Sequence, residues 1–233
     1  MRLMPGKRVL IPFLVSVFSL ILTNAYSAPC YGTRLPGKNK VDMGLQNYTI
    51  LKRYEKDGQG NFKSTQNFLL LSYGVFDWLS IDLKGGEGDI NEHPTGMSKI
   101  AYDASFAGGY GFRVKFFDEK KIKAVFGFQH ISVHPYSTPQ EGSKHKAVLD
   151  DWQVSLLGSY SFKLCTPYLG TRWSRVDYIH WTDGERNRVN SDSGKSIGLI
   201  TGIDIPLNKQ IWLNAEGQFF DSSAFALSIN YSF

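Results

Sequence analysis

Residues 224–233 read Ala224-Phe-Ala-Leu-Ser-Ile-Asn-Tyr-Ser-Phe233 and alternate without a break. Phe225, Leu227, Ile229, Tyr231 and Phe233 fall on one side, and Ala226, Ser228, Asn230 and Ser232 on the other. A period of two is a β-strand with one oily and one polar face. The pattern recurs upstream, where Ile100, Tyr102, Ala104, Phe106, Gly108, Tyr110, Phe112, Val114 and Phe116 alternate with Lys99, Asp103, Ser105, Gly109, Arg113 and Lys115. A dry core seldom backs onto so many charges within one strand, whereas a wet lumen accepts them. The oily face is therefore read as facing lipid.

Turn signals divide the chain into about ten strands, an even number as bacterial barrels require. They are predicted near 41–54, 64–74, 77–86, 99–116, 121–134, 149–163, 166–181, 196–206, 210–220 and 224–233. Short connections at Gly74–Asp77, Phe117–Lys120, Lys163–Cys165 and Leu207–Lys209 alternate with long polar ones near 55–63, 87–98, 135–148 and 182–195. A short connection near Asp221–Ser223 precedes the last strand. Short turns on one side and long loops on the other fit an all-β, transmembrane, antiparallel up-and-down β-barrel of about ten strands, with eight as the alternative. Such barrels usually end on an aromatic residue, so Tyr231 and Phe233 are read as the signal for the barrel assembly machinery.

The first residues support export. Arg2, Lys7 and Arg8 precede an apolar run from Val9 to Leu22, and Ala25 and Ser27 supply small residues at a cleavage spacing. This predicts a signal peptide over 1–27, the run being shorter than the ~20 residues of a spanning helix. A periplasmic segment is expected over 28–40 and the barrel over 41–233. Removing three basic residues takes the formal charge from +5 to +2, with both signs interspersed afterwards, which excludes a nucleic-acid footprint. Cys30 and Cys165 are the only cysteines; in an oxidising compartment they are a candidate disulfide.

The inferred lumen face collects Asp82, Lys84, Asp103, Arg113, Lys115, Arg172, Asp204 and Glu216, with Asp42, Gln46, Lys123, Gln129, Asn214 and Gln218 beside them. Their mixed signs predict weak ion selectivity along any path they line. Tyr73, Trp78, Tyr160, Tyr168, Trp181, Trp212 and Tyr231 cluster near strand ends and read as interfacial belts.

Asp151-Trp-Gln-Val-Ser-Leu-Leu-Gly-Ser-Tyr160, followed by Thr166-Pro-Tyr-Leu-Gly-Thr-Arg-Trp-Ser-Arg175, resembles the chlamydial-type major outer membrane protein porins. Glu216, Asp221 and the Phe233 ending resemble that family's closing hairpin, so the likeness covers roughly the last third of the chain. It implies a porin-like barrel passing small solutes or ions, or serving envelope structure, in the bacterial outer membrane. Those porins are longer and have more strands, and about ten strands imply a narrow or occluded path. Outer-membrane lipids are the expected surroundings, and neither a cofactor nor a metal set is implied.

Two other function classes rest on particular residues. His130-Ile-Ser132 closes the fifth strand on its outward face, and Asp150 opens the next on the same face. Ser132, His130 and Asp150 could serve as nucleophile, base and orienter of an outer-leaflet lipid hydrolase, an arrangement resembling the His-x-Ser of lipid A deacylases. Asp150, Asp151, Asp177 and His180 resemble the carboxylate pairs of ten-stranded outer-membrane proteases without reproducing their spacing. The bland alternative for all of these is a polar rim among lipid headgroups. Loop-mediated adhesion is the remaining class. Gly194-Lys195-Ser196 fails as a phosphate loop, because Val189 stands where the motif needs Gly and a strand follows. His93, His134 and His145 lack ligand spacing and read as solvated.

Overall fold

The computed structural model describes residues 29–191 and 196–233. The expected signal peptide, and Gly194 and Lys195, lie outside them. Ten long antiparallel strands form a closed ring: β1 (Val41–Tyr54), β2 (Gly60–Phe76), β3 (Leu79–Pro94), β4 (Ile100–Glu119), β5 (Ile122–Val133), β7 (Ser143–Tyr160), β8 (Thr166–Thr182), β10 (Ile197–Pro206), β11 (Ile211–Phe219) and β12 (Ser223–Ser232). Two short strands, β6 (Thr138–Gln140) and β9 (Glu185–Asn190), pair with β7 and β8 above the ring. The C-terminal strand closes the barrel: β12 runs antiparallel to β1 from Asp42↔Ser232 to Ile50↔Ala224. Closure leaves no sheet edge, which is what a strand-built membrane span requires.

The predicted strands are all present, and several run further. β2, β3 and β7 continue into stretches read as loops. Beyond the lipid both faces of a strand are wet, so the oily-polar alternation that marks the membrane part disappears while the hydrogen-bonded ladder carries on.

Outward residues form an apolar wall. Leu45, Leu69, Leu83, Phe106, Leu156, Leu169, Leu213, Leu227 and Ile229 are all exposed, while most of their strand neighbours turn inward and are buried. A closed barrel with an apolar outer wall is built for lipid, and the protein is a bacterial outer-membrane β-barrel. By the rule of such barrels the short-turn end is periplasmic and the long-loop end extracellular.

Three expectations about the interior are corrected. In β4 the register slips, because Gly88 faces Ser105 whereas Ile90 faces Tyr102, so Asp89 alone opposes Asp103 and Ala104. This bulge reverses the faces. Ile100 and Tyr102 turn inward, and Asp103 is exposed instead of lining the lumen. Second, Tyr168 and Trp212 are not belt residues but lie buried in the lumen.

Third, the described part of the segment expected beneath the barrel lies inside it. Gln129 Nε2 donates to the Pro29 carbonyl at 2.6 Å, the Cys30 amide donates to Glu216 Oε1 at 2.8 Å, and Thr33 Oγ1 donates to Ser159 Oγ at 2.8 Å. Tyr31 and Gly32 both take positive φ, a sharp turn between the contacts of Cys30 and those of Thr33. Cys30 is buried against Gln153, and Cys165 sits in the β7–β8 turn; both thiols are free, so the expected bond is not formed.

Candidate functional site

Three regions carry enough chemistry to be considered: the lumen, the extracellular end of the outer wall on β5, β7 and β8, and the acidic group proposed from sequence that straddles that wall.

Apart from Asp103, the lumen residues point inward, but they bind one another instead of lining a path. Asp82 takes a two-pronged ion pair from Arg113, with Nε and Nη2 at 2.9 and 2.7 Å. Arg113 Nη1 also donates to the Tyr31 and Arg34 carbonyls of the inserted segment. Lys84 donates to Gln129 Oε1 at 3.1 Å and lies 4.2 Å over the Tyr31 ring. Glu216 accepts from Cys30, Tyr168 and Gln218, while Asn214 donates to Asp204 at 2.8 Å. Lys115 stays at the periplasmic mouth, bonded to Asp118.

Arg172 reaches Asp221, Gln153, Gln218 and Ser222, and Arg53 approaches Asp221 from the other side at 3.4 Å. The sequence pattern puts Asp221 in a turn and carries no signal for Arg53. Phe220 in the left-handed region (φ 80°) turns the chain so that Asp221 folds back into the barrel, and no periodic signal announces that.

Apolar side chains fill much of the extracellular half of the lumen. Tyr48, Ile50, Phe62, Ile90, Ile100, Tyr102, Ile131, Val133, Leu149 and Tyr178 form one buried cluster, with the Phe62 and Tyr178 rings stacked at 5.8 Å. At the periplasmic mouth a pocket between Tyr31, Arg34, Asp42, Arg113 and Trp212 leaves about 20 Å³ for water centres, room for about one molecule.

On the outer wall the pairing of β5, β7, β8 and β9 arranges side chains in rows. Ser132, Asp150 and Asp177 are direct cross-strand neighbours. The next row toward the periplasm is His130, Trp152 and Arg175, then Phe128, Val154 and Trp173, then Phe126, Leu156 and Thr171. Polarity falls row by row, as expected for a wall crossing from headgroups into hydrocarbon.

The sequence-predicted trio meets here. Ser132 Oγ donates to Asp150 Oδ1, His130 Nε2 lies 3.7 Å from the same oxygen, and the His130 ring packs on Trp152 with centroids 4.1 Å apart. His134, expected to be solvated, is a fourth member: its Nε2 is 2.7 Å from Ser132 Oγ. The signal was present, since His134 follows Ser132 by two residues and shares its face. The serine has one proton. With that proton on Asp150, His134 donates to Oγ; with the other imidazole tautomer, His134 Nε2 can accept it.

The protease-like group does not assemble. Alternation sends Asp150 and Asp177 outward and Asp151 and His180 inward, so the barrel wall separates them. His180 instead stacks on His145, with Nε2 and the His145 Nδ1 3.0 Å apart. Asp177 is held by Arg175 Nε at 3.1 Å and by Arg188 Nη2. Among the described residues no group of three or more His, Cys, Asp or Glu side chains is placed to hold a metal ion.

No family model matches the chain, and no curated protein matches it. Solved structures similar to it include the outer membrane protease OmpT of Escherichia coli, at 9% identity over 87% of this chain and 99% of that one, with a TM-score of 0.46. The transport unit of the autotransporter AIDA-I from Escherichia coli is similar at 12% identity over 94% and 97%, with a TM-score of 0.47. The attachment invasion locus protein Ail of Yersinia pestis is similar at 9% identity over 85% and 100%, with a TM-score of 0.44.

Proposed function

We propose that this protein is a closed, non-conducting barrel that serves the outer membrane through its wall and loops, and not a diffusion pore. The observation that carries the reading is the inserted segment, whose backbone is tied to Gln129, Glu216 and Arg113 across the lumen. The apolar cluster at the extracellular half supports it independently. Freeing the segment would leave the Arg113–Asp82 pair and Glu216 short of partners inside a barrel, which costs several kcal/mol in order of magnitude. Passive passage, the function implied by the likeness to chlamydial-type porins, is disfavoured on these grounds.

The test is conductance of the refolded chain in a planar bilayer, together with labelling by a membrane-impermeant maleimide. The expected results are a folded, heat-modifiable barrel with no unitary steps, and a Cys30 that stays unlabelled until unfolding while Cys165 reacts. Reproducible steps with rapid labelling of Cys30 would overturn the reading.

The contact between Ser132 Oγ and His134 Nε2 favours a second reading, hydrolysis of an ester in the outer leaflet. Ser132 would attack the acyl carbonyl and pass its proton to His134, which returns it to the departing alcohol; water would then release the acyl group. His130 and Asp150 would position the pair. Loss of fatty-acid release in Ser132→Ala would support this, and an unchanged lipid profile would sink it without touching the closed-barrel reading.

A further inference from the structure

At the level of the acidic row and just below it, the outer wall holds a groove of about 360 Å³ whose lining includes Phe128, Trp152, Trp173, Arg175, Arg188 and the Asp177 carboxylate. Its floor is aromatic and its upper lip is cationic. Asp177 lies between the two arginines but does not exhaust them. Arg175 uses only Nε and Arg188 only Nη2 toward it, so both terminal nitrogens of Arg175, and Nε and Nη1 of Arg188, have no partner among the described residues. The two arginine side chains are 48% and 49% exposed, whereas the aspartate side chain they share is 5% exposed. One buried anion thus orients two half-free cations.

The charge around the lip is basic beyond this pair. Lys146 and Arg186 flank the Trp181 ring at 5.0 and 5.8 Å, in the row above Arg188. Lys146, Arg175, Arg186 and Arg188 therefore face two outward carboxylates, Asp150 and Asp177. Below the groove the wall runs on as Phe126 and Leu156, both exposed. A ligand seated here would need an anionic head with several acceptor oxygens at the arginine lip and hydrocarbon reaching down the Trp173 and Leu156 rows.

From this geometry we infer that the groove binds a phosphorylated lipid of the outer leaflet, its phosphate on Arg175 and Arg188 and its acyl chain along Trp152 and Trp173. Guanidinium forks match phosphate oxygens, and the amphipathic aromatics sit at the headgroup level. A free phosphate would use the lip and leave the groove empty; the continuity of groove and lipid-facing wall selects the lipid. The inference rests on the proposal that the wall is the working surface, but it does not need the lumen to be closed.

Native mass spectrometry of the barrel released from vesicles tests it. The vesicles combine phosphatidylcholine with a lipid bearing a terminal phosphate monoester, or with the same lipid dephosphorylated. Wild type is expected to retain one phosphorylated lipid and not its dephosphorylated form. Arg175→Gln with Arg188→Gln should weaken retention by about tenfold or more, the loss of charge-assisted bonds at two forks. Lys120→Gln with Lys121→Gln, at the periplasmic end, should change nothing. Heat-modifiable migration shows that each variant is folded. Equal retention by wild type and the arginine variant would overturn the inference, as would equal retention of the dephosphorylated lipid. Complete displacement by millimolar inorganic phosphate would overturn the role of the acyl chain. The conductance result would stand in every case.

Discussion

Two aspartates in this barrel are each held by two arginines, and the two sites differ only in what surrounds them. Asp221 lies in the lumen between Arg172 and Arg53, and all three side chains are at most 1% exposed. Asp177 lies on the outer wall between Arg175 and Arg188, buried itself but with both arginine side chains half exposed. Inside, most remaining donors are used: Arg53 also reaches Ser174 and Ser191, and Arg172 also reaches Gln153, Gln218 and Ser222. Outside they are left over. The same ionic chemistry is thus a structural tie where solvent is excluded and a half-used recognition element where headgroups are near.

The largest effect should come from breaking the inner site. Asp221→Asn leaves two arginines buried with a neutral partner, and removing one member of a buried charge cluster costs ~3–5 kcal/mol. Urea unfolding in lipid vesicles should show that loss or failure to reach the folded form, and a change below ~1 kcal/mol would mean that water reaches the cluster.

Glu55 sharpens the contrast, because it is a buried carboxylate with no arginine. It follows β1, its Oε1 has no hydrogen-bond partner among the described residues, and burial, aided by the nearby Glu92 charge, pushes its pKa up to about 7. The folded form therefore holds its proton more tightly than the unfolded chain. Its contribution is complete below pH 4.5, falls as pH rises, and is gone above 7. Wild type should lose up to ~3 kcal/mol relative to Glu55→Gln between those limits, read from urea midpoints across pH. Parallel curves for the two proteins would show that Glu55 is solvated.

A smaller loss should follow from crowding the inner site without touching its charges. A Cβ on Gly198 would stand 2.0 Å from Asp221 Oδ1, so Gly198→Ala must push the carboxylate off Arg172. Overpacking of this kind costs ~1–3 kcal/mol, and an unchanged midpoint would mean that Asp221 can shift without loss.

The sequence made the ring legible because lipid enforces a strict period of two, and closure needs only an even number of such strands. The wall trio Ser132, His130 and Asp150 was legible for the same reason, since alternation alone puts all three outside. What escaped were the departures from the period. The bulge at Asp103 inverts a face, the turn through Phe220 carries Asp221 inward, and Pro29–Pro36 enters the lumen with no alternation to announce it. The two outer arginines escape differently: Arg175 belongs to a strand and Arg188 to a polar stretch with no alternation, and only the strand register brings them together on Asp177.

The smallest effect belongs to the outer site itself. Asp177→Asn removes a carboxylate from two exposed guanidiniums, which water and headgroups can solvate, and exposed pairs of this kind are worth ~0–1 kcal/mol each. It also removes a like charge from directly opposite Asp150, a gain of a few tenths of a kcal/mol that works the other way. That gain offsets part of the loss from the two pairs, so the urea midpoint should fall by no more than ~1–2 kcal/mol. A loss for Asp177→Asn as large as that for Asp221→Asn would mean that the outer arginines are as dry as the inner ones. The contrast between the sites would then collapse, and with it the reason for assigning spare binding capacity to the wall.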